Sequence, residues 1–143
     1  MNLRVAGLGV FLLGSIALAD DYDDRAKLSG KWQLESATSA EKAQVWLVED
    51  KGASIHIVQS VGDQKIAEFE CPLAQECKAK ESGKSVTVTV YYNGPRLVEM
   101  ETRGKETFKR RFGLGKKADT IEVEVIPVVP AGDTEMLVFK RAK

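Results

Sequence analysis

Ser85-Val86-Thr87-Val88-Thr89-Val90-Tyr91-Tyr92-Asn93-Gly94-Pro95 sets the fold class of this chain. Val86, Val88, Val90 and Tyr92 project to one side of an extended backbone and Thr87, Thr89 and Tyr91 to the other, the period-two pattern of a strand with one buried face. Asn93-Gly94 between two alternating runs is a hairpin signal, although Pro95 removes a donor where the next strand begins. Residues 97–102 then return as the second arm.

The alternation continues in both directions. Downstream, Phe108, Arg110, Phe112 and Leu114 share a face over 107–114, and Ile121, Val123 and Val125 share one over 120–125 with Glu122 and Glu124 opposite. Pro127, Pro130 and Gly132 are expected to break the chain before a last strand over 134–141. Upstream, strands are expected over 31–36, 45–49, 54–60 and 65–71, with turns at Asp50-Lys51-Gly52 and Gly62-Asp63 between them. Only 36–44 is rich in helix formers, and it reads as a short helix or an irregular lid. The result is an all-β chain, an antiparallel up-and-down meander of eight or nine strands. Full closure removes the unpaired edges of such a sheet, so a closed or nearly closed barrel is expected.

The N-terminus carries one cation at Arg4, an apolar run over 5–18, and the small-x-small pattern Ala17-Leu18-Ala19, the three parts of a secretory signal peptide. The run is shorter than the roughly 20 residues a membrane-spanning helix needs. Asp20-Asp21-Tyr22-Asp23-Asp24 follows at once, and no cysteine stands at the cleavage point. We therefore expect a signal peptide at 1–19, a single domain at 20–143, a periplasmic or secreted location, and no membrane anchor in the mature form. Cleavage leaves 20 basic residues against 21 acidic ones. A chain so nearly neutral has no long-range field to gather nucleic acid or anionic membrane. Lys109-Arg110-Arg111 and Lys140-Arg141 are short and read as solvated strand faces.

Cys71 and Cys77 are the only cysteines. In an oxidising compartment a structural disulfide is expected of them. A metal site would need more ligands than two cysteines and the single His56, and the spacing is not that of a Cys-x-x-Cys redox pair. His56 alternates with Ile55 and Ile57 and belongs to a solvent face. Glu99 and Glu101, like Glu122 and Glu124, lie two apart on one strand, which does not supply carboxylates facing each other across a cleft. They too read as solvated. Phosphate-binding glycine loops of P-loop or Rossmann spacing are missing. The sequence thus points to no catalytic residues, no metal, no cofactor and no enzyme activity.

Gly30-x-Trp32 opens the first strand and Arg141 closes the last, with Lys140 beside it. This constellation resembles the lipocalins and the wider calycin superfamily, and the chain after the signal peptide is similar to small secreted lipocalin-like proteins of bacteria. The resemblance implies a lipocalin-like barrel in which Trp32 lies across the base and Arg141 packs over its indole; a cation–π contact of this kind contributes about 0.5–2 kcal/mol. It names a fold and no activity. The chain is shorter than ligand-carrying lipocalins, and its cysteines sit close together instead of tying a terminus to the barrel, so a roomy interior does not follow from the likeness.

Two functions from different classes suit such a chain. In the first, the barrel holds a small apolar or anionic amphipathic ligand, with Tyr92, Met100, Phe108, Arg110 and Phe112 as candidate lining residues and Arg110 as partner for a carboxylate head group. The same residues would also pack a filled core. In the second, an envelope protein partner or the target of an inhibitor is met by rigid loops, namely the Cys71–Cys77 loop and the apolar Pro127-Val128-Val129-Pro130 segment.

Overall fold

Two-residue turns decide the connectivity. In a computed structural model of the chain, which describes residues 16–35 and 44–143, one helix, α1 (Ile16–Leu28), precedes ten strands. These are β1 (Gly30–Leu34), β2 (Gln44–Asp50), β3 (Ser54–Val61), β4 (Gln64–Pro72), β5 (Glu76–Glu81), β6 (Lys84–Asn93), β7 (Arg96–Arg103), β8 (Glu106–Leu114), β9 (Thr120–Val129) and β10 (Glu135–Arg141). Each strand pairs antiparallel with the next, and β1 closes on β10, giving a barrel with no free edge.

The β6–β7 hairpin pairs Asn93 with Arg96, which leaves Gly94 and Pro95 as the loop. Gly94 takes φ 59° at the first loop position, where other residues are strained, and Pro95 falls where no ladder donor is needed. The turn is therefore Gly-Pro, one residue later than Asn93-Gly94.

Three expectations are corrected. The barrel has ten strands instead of eight or nine, because Glu-Cys-Lys-Ala-Lys-Glu over 76–81 is β5. Its inward side carries only Cys77, Ala79 and Glu81, too polar a set to show as a buried strand. β9 does not stop at Pro127 but runs on to Val129. A register shift beside Phe108, the partner of Pro127, lets the ladder pass a residue that has no N–H. The acidic stretch after Ala19 is helical and belongs to α1. The expected helix or lid over 36–44 lies outside the described residues except for Gln44, the first residue of β2.

β4 and β5 are hydrogen-bonded only at Ala67–Glu81 and Glu68–Lys80. Cys71 and Cys77 stand opposite each other further along the same register, paired, with Cα atoms 5.7 Å apart. The covalent link joins the two strands where their ladder is short.

The core is one cluster along the inner wall, including Leu28, Trp32, Trp46, Ile55, Ile57, Phe69, Val88, Val90, Leu97, Phe112, Ile121 and Phe139. No helix among the described residues is long and apolar enough to cross a membrane.

Candidate ligand-binding site

The barrel has two unlike ends. At the first, α1 is fastened over the base. Trp32 is 1% exposed, and its Nε1 donates to the Leu28 carbonyl at 2.8 Å. Arg141 lies over the indole, Cζ 4.3 Å from the ring centroid, and its Nη1 and Nη2 donate to the Ser29 and Lys27 carbonyls. These are the carbonyls that a helix end leaves without partners. Gly30 takes φ 151°, a conformation that residues with a Cβ rarely adopt, and a Cβ there would also push the Arg141 guanidinium from its place.

Further along the same helix, Arg25 Nε donates to the Gly94 carbonyl at 2.7 Å. Its guanidinium sits between the Tyr22 and Tyr92 rings. Tyr92 donates to Asp50 at 2.7 Å, and burial, followed by that hydrogen bond, pushes its phenol above the ordinary value.

Toward the other end, where β1 ends and β2 begins, the inner wall changes character. Phe108, Ala79, Val125 and Leu137 are only partly covered, and among them runs a chain of charge. Arg110 Nη1 donates to both Glu99 oxygens, at 3.1 and 3.2 Å, and to Glu101 at 3.3 Å. Arg103 Nη2 donates to Glu101 at 3.2 Å and to Glu81 at 2.6 Å. The Arg110 guanidinium also lies against the rings of Phe108 and Trp46, at 4.5 and 5.0 Å, and Arg103 against Phe108. Glu99 and Glu101 are 1% and 3% exposed.

The expected solvent face for Glu99 and Glu101 is therefore wrong: Leu97, Glu99, Glu101 and Arg103 form the inward side of β7. Arg110, expected within a solvated run and also as a lining residue, is on the inner wall. Glu81 is the unusual acid of the set. Burial first, and the neighbouring Glu101 carboxylate second, push it up to about 7 against the pull of Arg103 and Arg110.

The lining candidates separate accordingly. Phe108 and Arg110 stand on the partly covered inner wall, Phe112 is sealed near the base with its ring edge-on to Trp46, and Tyr92 is engaged by Asp50 and Arg25. Met100 alternates with the buried Glu99 and Glu101 and so lies on the outer face, which removes it from the lining. Glu81, Glu99, Glu101 and Arg103 were not among the candidates. The signal available was Arg110 on the Phe108 and Phe112 face, since a guanidinium turned inward requires acids turned inward with it.

His56 lies on the outer face between two acids, Nδ1 2.6 Å from Glu49 and Nε2 3.1 Å from Glu68. The Glu49 hydrogen bond raises its pKa above the ordinary 6.5, against a smaller loss from burial. A raised histidine stabilises the fold fully below its unfolded value, and that contribution is lost as pH rises through the higher folded value. The expected result is that wild type loses more stability than His56→Gln between pH 6 and 8, by at most about 1 kcal/mol for so accessible a cluster. Denaturant melts of both proteins at the two pH values check it, and parallel curves would refute the assignment. No group of three or more His, Cys, Asp and Glu among the described residues is arranged to hold a metal ion.

The closed antiparallel barrel with a short helix over its base is of the lipocalin/calycin type. Solved structures of that type align with most of this chain. A secretory abundant heat soluble protein from Ramazzottius varieornatus is 13% identical, with TM-score 0.66 over 81% of this chain and 96% of its own. The Schistosoma mansoni fatty acid binding protein in complex with arachidonic acid is 16% identical, with TM-score 0.66 over 84% and 99%. The REP1-NXSQ fatty acid transporter is also 16% identical at TM-score 0.66, over 82% and 98%. At these identities the likeness is one of fold. No protein-family model matches the sequence, and no curated protein does.

Proposed function

We propose that this chain is a small-ligand carrier, secreted or periplasmic, which receives an apolar or amphipathic molecule at the barrel end opposite α1. The observation that supports it is the asymmetry of the interior. One end is sealed by Trp32, Phe112, Ile121 and Phe139, while the other leaves Phe108, Val125, Leu137, Glu81, Arg103 and Arg110 partly covered beside the buried Glu99 and Glu101. A filled barrel has no use for such a gradient, and ligand sites combine apolar lining with a few placed polar groups in this way. Two of the similar structures are named for fatty acid binding or transport, and the third carries no such name.

Secretion enters through the signal peptide expected at 1–19 and the Cys71–Cys77 pair. Cleavage after Ala19 leaves Asp20 to Leu28 in place, and with them every helix contact described above.

The test is native purification, mass spectrometry of a denatured extract, and displacement of a fluorescent lipid-like probe. A co-purifying small molecule or saturable one-to-one probe binding is expected. A protein that is empty and ignores the probe would overturn the proposal. It would instead favour a protein partner at the β9–β10 hairpin, where Val129 and Met136 are 52% and 49% exposed.

A further inference from the structure

The inner ion chain has an odd number of members. Glu81, Glu99 and Glu101 face Arg103 and Arg110, so each guanidinium is held by two carboxylates and, with all groups ionised, one negative charge is left over. A ligand carboxylate entering here would meet two guanidiniums that already share three carboxylates, with Arg103 Nε as a buried N–H that has no partner among the described residues. It would have to displace Glu99 or Glu101, both buried, or add a second uncompensated negative charge to a poorly solvated wall. An ammonium group meets the opposite situation, with a surplus carboxylate at the Glu81 end of the chain.

We propose that the barrel selects amphiphiles with a cationic head group over fatty-acid-like carboxylates, the head group seated beside Glu81 and the tail against Phe108, Val125 and Leu137. This rests on the ligand-carrier proposal above and names its ligand class. The position of Glu81 within the wall carries it. From β7 the side chain meets Glu101 and Arg103, from β8 the charge of Arg110, and from β4 its register partner is the uncharged Ala67. On β6 its partner in register is Lys84, which is exposed and forms no ion pair with Glu81 among the described residues. Burial first, and the Glu101 carboxylate second, raise the Glu81 pKa against the pull of Arg103 and Arg110.

The experiment titrates the purified protein with dodecylamine, dodecanol and dodecanoate, three ligands of one chain length that differ in head charge. An alkylammonium stays protonated between pH 6 and 8, as lysine does, and dodecanoate stays ionised, as glutamate does, so a pH effect over that range comes from the protein. At pH 8 the amine should bind about tenfold tighter than the alcohol, and the carboxylate about tenfold weaker than the alcohol. At pH 6 Glu81 takes up its proton, and the amine's advantage should shrink to about threefold or less. Glu81→Gln should show that smaller advantage at both pH values. The wild-type pH series stands without the variant should Glu81→Gln fail to fold. Carboxylate binding as tight as alcohol binding at pH 8, or an amine no tighter than the alcohol, would overturn the selectivity while leaving the carrier intact. Failure of all three ligands to bind would overturn the carrier and the selectivity together.

Discussion

Replacing Trp32 with alanine should lower the unfolding free energy by about 3–5 kcal/mol, the range for removing a large aromatic side chain from a core. The indole is 1% exposed, so little of the void can be filled from solvent. Its loss also strips the Leu28 carbonyl of its donor and leaves the Arg141 guanidinium without the face it lies on. Domains of this size are stable by only about 5–15 kcal/mol, so the variant should sit near the edge of folding. Arg141→Met is the informative companion. It keeps an unbranched apolar stem over the ring while removing the cation–π contact, worth about 0.5–2 kcal/mol, and the two bonds to the Lys27 and Ser29 carbonyls. Urea melts of both should rank Trp32→Ala well below Arg141→Met. Equal losses, or a Trp32→Ala loss under about 1 kcal/mol, would show that the base is held mainly by the helix bonds and not by the indole.

The strands that could be read from the sequence are those with one apolar and one polar side. β6 and the 121–125 part of β9 alternate strictly, because water on one face and core on the other select different residues at successive positions. β5 escaped for the same reason in reverse. Its inward positions are Cys77, Ala79 and Glu81, so neither face is apolar enough to mark a core, and the cysteines drew the segment into a loop. The acidic turn of α1 follows a signal-like run and has little apolar face; the helix is held by Trp32 just beyond its end and, from far away in sequence, by Arg141 and by the Gly94 carbonyl and Tyr92 ring that Arg25 meets. The candidate site was half legible. Phe108 and Arg110 showed as one face of β8, but on β7 the apolar Val98 and Met100 competed with Leu97 for the inward side. Tertiary pairing with Arg110 turned Glu99 and Glu101 inward, and strand periodicity contains no information about a partner on the next strand.

Arg110→Met should cost about 3–5 kcal/mol, because it removes the partner and leaves buried carboxylates uncompensated. Arg110 Nη1 makes all three bonds to Glu99 and Glu101. The side chain is 11% exposed against 1% and 4% for its partners, so water cannot replace it. Neutralising the acids as well separates charge from packing. Arg110→Met combined with Glu99→Gln and Glu101→Gln should recover much of the stability, as buried ion pairs replaced by neutral groups of similar volume often cost little. Thermal melts of the single and triple variants at pH 8 check this, with a fall of more than about 10 °C expected for the single variant. A single variant that melts with wild type would mean that Glu99 and Glu101 do not depend on Arg110 as a partner. A triple variant that folds is also the sharper probe of function. With Glu99, Glu101 and Arg110 neutralised, Glu81 and Arg103 balance one to one, so the surplus negative charge is gone and the preference for cationic amphiphiles should disappear. A preference that survives would show that the surplus of the ion chain is not its source.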